Sequence, residues 1–132
     1  MLRSTSIKTD SRIQKESKTF INLGFDVQLI GWDRENNYKK EEVFDGIHVD
    51  FFKKKATYAG GMKNLFKMCT FQIYLFFKLF QYRKKYNIIF ACDLDTGITA
   101  RIFSKIFNKK LVYDIYDYYI DSHYLSESLK RI

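Results

Sequence analysis

The stretch IIFACDLDTGITARIFSKIF, residues 88–107, constrains the fold most. An apolar run ends in Ala91 and Cys92, then meets Asp93, Leu94, Asp95, Thr96 and Gly97 before a helical pattern begins. Such a run passing through capping residues into a helix is a strand–helix unit. Ile98, Ile102, Phe103 and Ile106 recur at helical spacing, which predicts one buried face. Asp95 or Thr96 is the expected cap, and Asp93 closes the strand. Carboxylates at a strand end also suit the floor of a ligand cleft, and one residue can serve both roles.

The rest of the chain extends this pattern. MLRST reads as a short strand, and DSRIQKESKTFINLG as a helix capped by Asp10 or Ser11. Ile13, Phe20 and Ile21 share its apolar face, and Gly24 supplies a left-handed stop. FDVQLIGW is a strand with Phe25, Val27 and Leu29 pointing one way, DRENNYKKEE a charged loop, and DGIHVDFF a strand opened by an Asp-Gly turn. KKKATYAGGMK is a loop; Gly60 and Gly61 there read as flexible linkage or as bare backbone approaching an acceptor phosphate.

NLFKMCTFQIYLFFKLFQYRKKY follows as a long helix, apolar nearly all round. Lys67 and Lys78 would each cost about 3 kcal/mol at a bilayer centre. A helix buried on one face, with leftover apolar surface resting on a membrane, is therefore expected instead of a span. KLVYDIYDYYIDS opens as a strand ending near Asp114, and YLSESLKRI reads as a helix. This order predicts an α/β fold: a Rossmann-like, mainly parallel sheet with helices on both faces, in one domain over 1–132. Asp93, Asp95 and Asp114 then fall at carboxyl ends of strands, where such sheets bind ligands.

Composition narrows the partners. Apolar residues at 46 % and aromatics at 18 % exclude a disordered chain, and the absence of proline fits a small helix-and-strand module. A net charge of +8 favours anionic partners. Lys53, Lys54, Lys55, Lys78, Arg83, Lys84 and Lys85 read as solvated charge or as an anionic membrane contact, and the nearby Phe71, Phe76, Phe77 and Phe80 favour the membrane. Nucleic acid has charge alone behind it, with no recognised motif, and is not expected as a partner. Cys69 and Cys92 form no C-x-x-C pair and read as reduced, buried thiols of a cytoplasmic protein, with no metal site. His48 and His123 are isolated and read as structural. MLRSTSIKTD lacks the apolar core of a secretory signal.

Two stretches carry a family resemblance. DSRIQKESKTFINLGFDVQLIGWDRE resembles the opening of family-4-type glycosyltransferases of the GT-B fold, with an Asp-x-Arg before the first helix and a Gly-aromatic-x-Val step into the second strand. YNIIFACDLDTGITARIFSKIFNKKLVYDIYDYY is similar to the stretch in which that family ends one strand in His-Ala-His-Asp-x-Asp-Thr and a later one in Val-Tyr-Asp-x-His-Glu. The match runs over roughly residues 3 to 125.

The resemblance implies the N-terminal, acceptor-binding half of a two-domain enzyme, lying on the inner face of the cell membrane. That enzyme would transfer a sugar from a nucleotide-sugar donor to a lipid-linked or polysaccharide acceptor. The donor would be held by a C-terminal domain or partner subunit that these residues lack, with no cofactor in this chain. Phe90 and Cys92 stand where many relatives carry histidines, and Tyr116 where the catalytic histidine is frequent. A tyrosine titrating near 10 is a poor base at neutral pH, so Asp117 or Asp114 becomes the expected base. STSIKTDSR replaces a glycine pair, leaving Arg12 and Lys8 to meet acceptor phosphates. Asp93, Asp95, Tyr116, Gly60 and Gly61 complete the expected acceptor contacts. The alternative is a non-catalytic subunit that recruits a split transferase to the membrane.

Overall fold

The computed structural model describes residues 1–56 and 61–115. The elements are β1 (Leu2–Arg3), α1 (Ser11–Asn22), β2 (Gln28–Asp33), β3 (Glu41–Phe44), β4 (Ile47–Lys53), α2 (Gly61–Tyr82), β5 (Ile88–Ala91), α3 (Leu94–Ile106) and β6 (Lys110–Tyr113). They form a six-stranded sheet in the order β3-β4-β2-β1-β5-β6, parallel except for β3. Strand β3 begins in the last two residues of the stretch that reads as a charged loop and was not expected from the sequence. Its alternating exposure, with Glu41 and Val43 outward, marks an edge strand. It returns through Asp45 and Gly46, both at positive φ (50° and 79°), as a tight hairpin requires.

The sheet is apolar on both faces because successive residues of its strands point opposite ways. Leu2, Ile30, Trp32, Ile89 and Ala91 meet Phe71, Leu75 and Leu79 of α2 and Ala100 and Phe103 of α3. Leu29, Val49, Phe51 and Cys92 pack on the other face with Ile13 of α1 and Ile7 of the segment leading into it. The expected α/β architecture with helices on both faces is therefore present. Helix α1 begins at Asp10, whose carboxylate accepts from the Arg12 and Ile13 N–H groups at 3.1 and 3.4 Å, and ends before Gly24 at φ 88°.

Several local expectations change. Helix α3 starts two residues earlier than its pattern suggested, with Asp93 as N-cap in place of Asp95 or Thr96. Thr96 Oγ1 accepts from the Asp93 N–H at 3.3 Å and donates to its carbonyl at 3.1 Å. The isoleucine stripe of α3 faces outward: Ile98, Ile102 and Ile106 are exposed, and only Phe103 of the expected face is buried. The sheet side is instead Thr96, Thr99, Ala100, Phe103 and Ser104, small residues that let the helix approach closely. Phe25 and Ile21 are exposed. Cys92 is buried as expected, but Cys69 is exposed on α2.

Lys78 does not interrupt an outer face. It is buried against the sheet, with Nζ 2.6 Å from Asp50 Oδ1 of β4. No helix among the described residues is long and apolar enough to cross a membrane.

Candidate functional site

The chain runs outward from β1 through β2 to β4, then α2 carries it back across to β5 on the other side of β1. The crevice where such a sheet reverses direction lies beyond the carboxyl ends of β1 and β5. Residues from four elements meet there.

Asp93 is the hub. Its Oδ2 accepts from the Ser4 N–H at 3.0 Å and the Ser4 hydroxyl at 3.1 Å, and its Oδ1 pairs with Arg3 Nη1. Arg3 Nε also lies 2.7 Å from Asp10 Oδ2, so one guanidinium joins the caps of α1 and α3. Burial pushes the Asp93 carboxyl up from its usual range, and the Ser4 N–H, Arg3 and the Ser4 hydroxyl offset this only in part. The Ser4 carbonyl accepts from Arg34 Nε at 3.1 Å, and the Arg34 guanidinium stacks 4.4 Å over the Trp32 ring.

The outer rim is more open. Asp114 follows β6, its N–H donating to the Ala91 carbonyl at 2.9 Å. Its Oδ2 lies 3.4 Å from Arg12 Nη2 of α1, and Arg12 Nε lies 3.4 Å from Glu16 Oε1. Tyr113 lies across the first turn of α3, beside Gly97. Burial raises its hydroxyl pKa, and the nearby Asp93 and Asp95 carboxylates push the same way. Asp95 is half-buried in that turn, and its carbonyl accepts from Gln72 Nε2 of α2 at 2.6 Å.

Lys8 stands apart from this cluster. It pairs with Glu42 of β3, and its Nζ sits 4.5 Å from the Tyr38 ring centroid. The Lys8 hydrogen bond, helped by the Lys39 N–H, holds the Glu42 carboxyl below its usual range. Lys8 and Arg12 were both expected to meet phosphates; each has a carboxylate partner here. Gly61 opens α2, while Gly60, Tyr116, Asp117 and His123 lie outside the described residues.

The rim thus brings together Asp93, Asp95, Asp114 and Arg12 of the expected set. Three contributors escape sequence reasoning: Arg3, Ser4 and Tyr113. Arg3 lies in a strand too poorly hydrophobic to read as central, yet β1 stands between β2 and β5 in the sheet. Carboxylates balance the guanidinium groups of Arg3 and Arg12, and Arg34 donates to the Ser4 carbonyl, so the cluster offers paired hydrogen-bond donors and acceptors. Among the described residues, no three His, Cys, Asp or Glu converge to hold a metal ion.

A separate cavity of about 580 Å³ lies at the amino ends of the strands, lined by Phe20, Val27, Leu79, Tyr86 and Phe90 among others. It shares no residue with the Asp93 cluster. Compared with protein-family models, curated proteins and solved structures, the chain matches none of them.

Proposed function

We propose that this chain is the acceptor-binding half of a GT-B-type glycosyltransferase, working at the inner face of the cell membrane on a lipid-linked or polysaccharide acceptor. The observation that carries the reading is the meeting of Asp93, Asp95, Asp114 and Arg12 beyond the carboxyl ends of the central strands. Carboxylates already balanced by guanidinium groups suit neutral sugar hydroxyls, each of which donates and accepts. Arg3 and Asp10 hold the floor, Asp114 and Arg12 form the mouth, and Tyr113 offers a ring edge for an apolar sugar face. Asp114 or Asp117 orients or deprotonates the acceptor hydroxyl, while a nucleotide-sugar held by a second domain or subunit supplies the transferred sugar.

Saturation-transfer NMR of the full chain with a panel of neutral and phosphorylated saccharides tests this reading. At least one neutral saccharide should bind, and Asp114→Asn should weaken it by about tenfold, the worth of a hydrogen bond to a charged group. No saccharide contact anywhere in the panel, or equal binding by the variant, overturns it.

A further inference from the structure

The charge of this chain is not evenly spread. Residues 51–113 hold thirteen Lys and Arg against two acids, Asp93 and Asp95, and both of those belong to the crevice. Residues 1–50 hold eight Lys and Arg against nine acids. The excess positive charge therefore belongs to α2, α3 and the segments around them.

On α2, every residue classed as exposed between 65 and 80 is apolar or cysteine: Leu65, Phe66, Cys69, Ile73, Phe77 and Phe80. Phe66 and Phe77 are 70 % and 66 % exposed. Lys78 is turned inward onto Asp50 and leaves this strip free of charge. On α3, Ile98, Ile102 and Ile106 form a second exposed strip, 58 %, 51 % and 62 % exposed.

The two strips adjoin. Phe76 packs on Phe103 and Phe80 on Phe107, with centroids 5.4 and 5.7 Å apart, so α2 and α3 touch along one seam. Residues one position beyond that seam on α2, and one position before it on α3, lie on the outer surface together. Cations stand at the edges: Lys54 Nζ is 5.4 Å from the Phe66 ring, the Arg83 guanidinium 3.9 Å from the Phe80 ring, and Arg101 and Lys105 are exposed along α3.

We infer that the α2–α3 face is a docking surface for an anionic lipid bilayer. Its apolar centre enters the boundary between headgroups and acyl chains, and the cations around it meet lipid phosphates. Nucleic acid would need cations at the centre, where this face has leucine, isoleucine and phenylalanine. The inference deepens the membrane part of the proposed function but rests on exposure and charge alone. Vesicle binding without saccharide binding would sink only the sugar-transfer reading; the converse would sink this inference and the membrane placement, and leave saccharide binding standing.

The test is co-sedimentation of the full chain with phosphatidylcholine vesicles, with and without phosphatidylglycerol as one lipid in three. The chain should sediment with the anionic vesicles at least about tenfold better than with neutral ones, and lose that preference in high salt. Phe77→Asp combined with Ile102→Asp should weaken binding by at least about tenfold, with an unchanged melting temperature because both side chains are already exposed. Arg101→Glu combined with Lys105→Glu should lower the preference for phosphatidylglycerol and preserve the fold. Equal sedimentation with both vesicles, or full binding by the Asp variant, overturns the inference. So does a dimer in solution that Phe77→Asp converts to monomers without any vesicle binding, since a second copy would then be the occupant. A mobility shift with an oligonucleotide and no sedimentation with vesicles overturns it in favour of nucleic acid.

Discussion

The ring of Tyr113 lies so close to Gly97 that a β-carbon built on the glycine would come within 2.8 Å of Tyr113 Cε2. The last residue of β6 and the first turn of α3 thus share one narrow contact beside Asp93 and Asp95. Gly97→Ala alone should destabilise the protein by about 1–2 kcal/mol, because displacing the ring outweighs the gain in helix propensity. In a Tyr113→Ala background the same substitution should stabilise, since only the propensity gain of about 1 kcal/mol remains. Urea unfolding of the four proteins reads this reversal of sign; a destabilising Gly97→Ala in both backgrounds would refute the contact as its cause.

Lys78 and Asp50 form a buried ion pair, and Gln28 Nε2 donates to the second Asp50 oxygen at 2.7 Å. Asp50→Asn should cost about 3–5 kcal/mol by leaving an ammonium buried against an amide. Lys78→Met together with Asp50→Leu should recover much of that loss, because neither charge then needs solvation. Desolvation pulls the Lys78 pKa down, but the Asp50 hydrogen bond and charge pull harder and leave it above 10.5. Its contribution to stability is therefore complete below 10.5 and lost as pH rises through the folded-state value. Alkaline unfolding shows whether the substitution of Lys78 removes that loss.

Asp93 predicts a slope of the same sign, in the acid range. Its folded pKa lies above the ordinary 3.8, so the folded protein binds its proton more tightly than the unfolded chain. Stability from this group is highest below 3.8 and falls as pH rises through the folded-state value. Asp93→Asn keeps an acceptor for the Ser4 N–H and removes the titration. The stability of wild type minus that of the variant should therefore decrease as pH rises from about 3.8 through the next units. A difference that grows over this window would contradict the burial of the carboxylate.

Turnover tests the base. If the proposed sugar transfer holds, removing the carboxylate that acts as base should lower kcat by about a hundredfold or more in an assay that supplies the donor-binding half. Asp114→Asn and Asp117→Asn compared side by side assign the role. Wild-type turnover in both would remove these residues from the reaction.

Much of the site was readable because it depends on local chemistry. Asp10 as a cap, Gly24 as a stop and Asp45-Gly46 as a turn follow from what each residue type does to its own backbone. The rim position of Asp93, Asp95 and Asp114 follows from the alternation of strands and helices, since parallel connections put strand ends on one edge. The pairing of Arg3 with Asp93 was not readable, because ninety residues separate them and only the adjacency of β1 and β5 brings them together.

The sequence by itself determined the class of fold, the alternation of its parallel strands and helices without the edge strand β3, and the overall excess of positive charge, because periodicity, capping and composition are local or additive. Tertiary structure decided which face of each helix meets the sheet. A stripe of isoleucines on α3 has the same spacing whether it points in or out. Close approach to the sheet selects Thr96, Thr99, Ala100 and Ser104, whose size admits the contact; Thr99 is hydrogen-bonded to Gln72, and the Ser104 hydroxyl donates to the Arg101 carbonyl at 2.9 Å. With those residues inside, Ile98, Ile102 and Ile106 are left outside beside the apolar strip of α2.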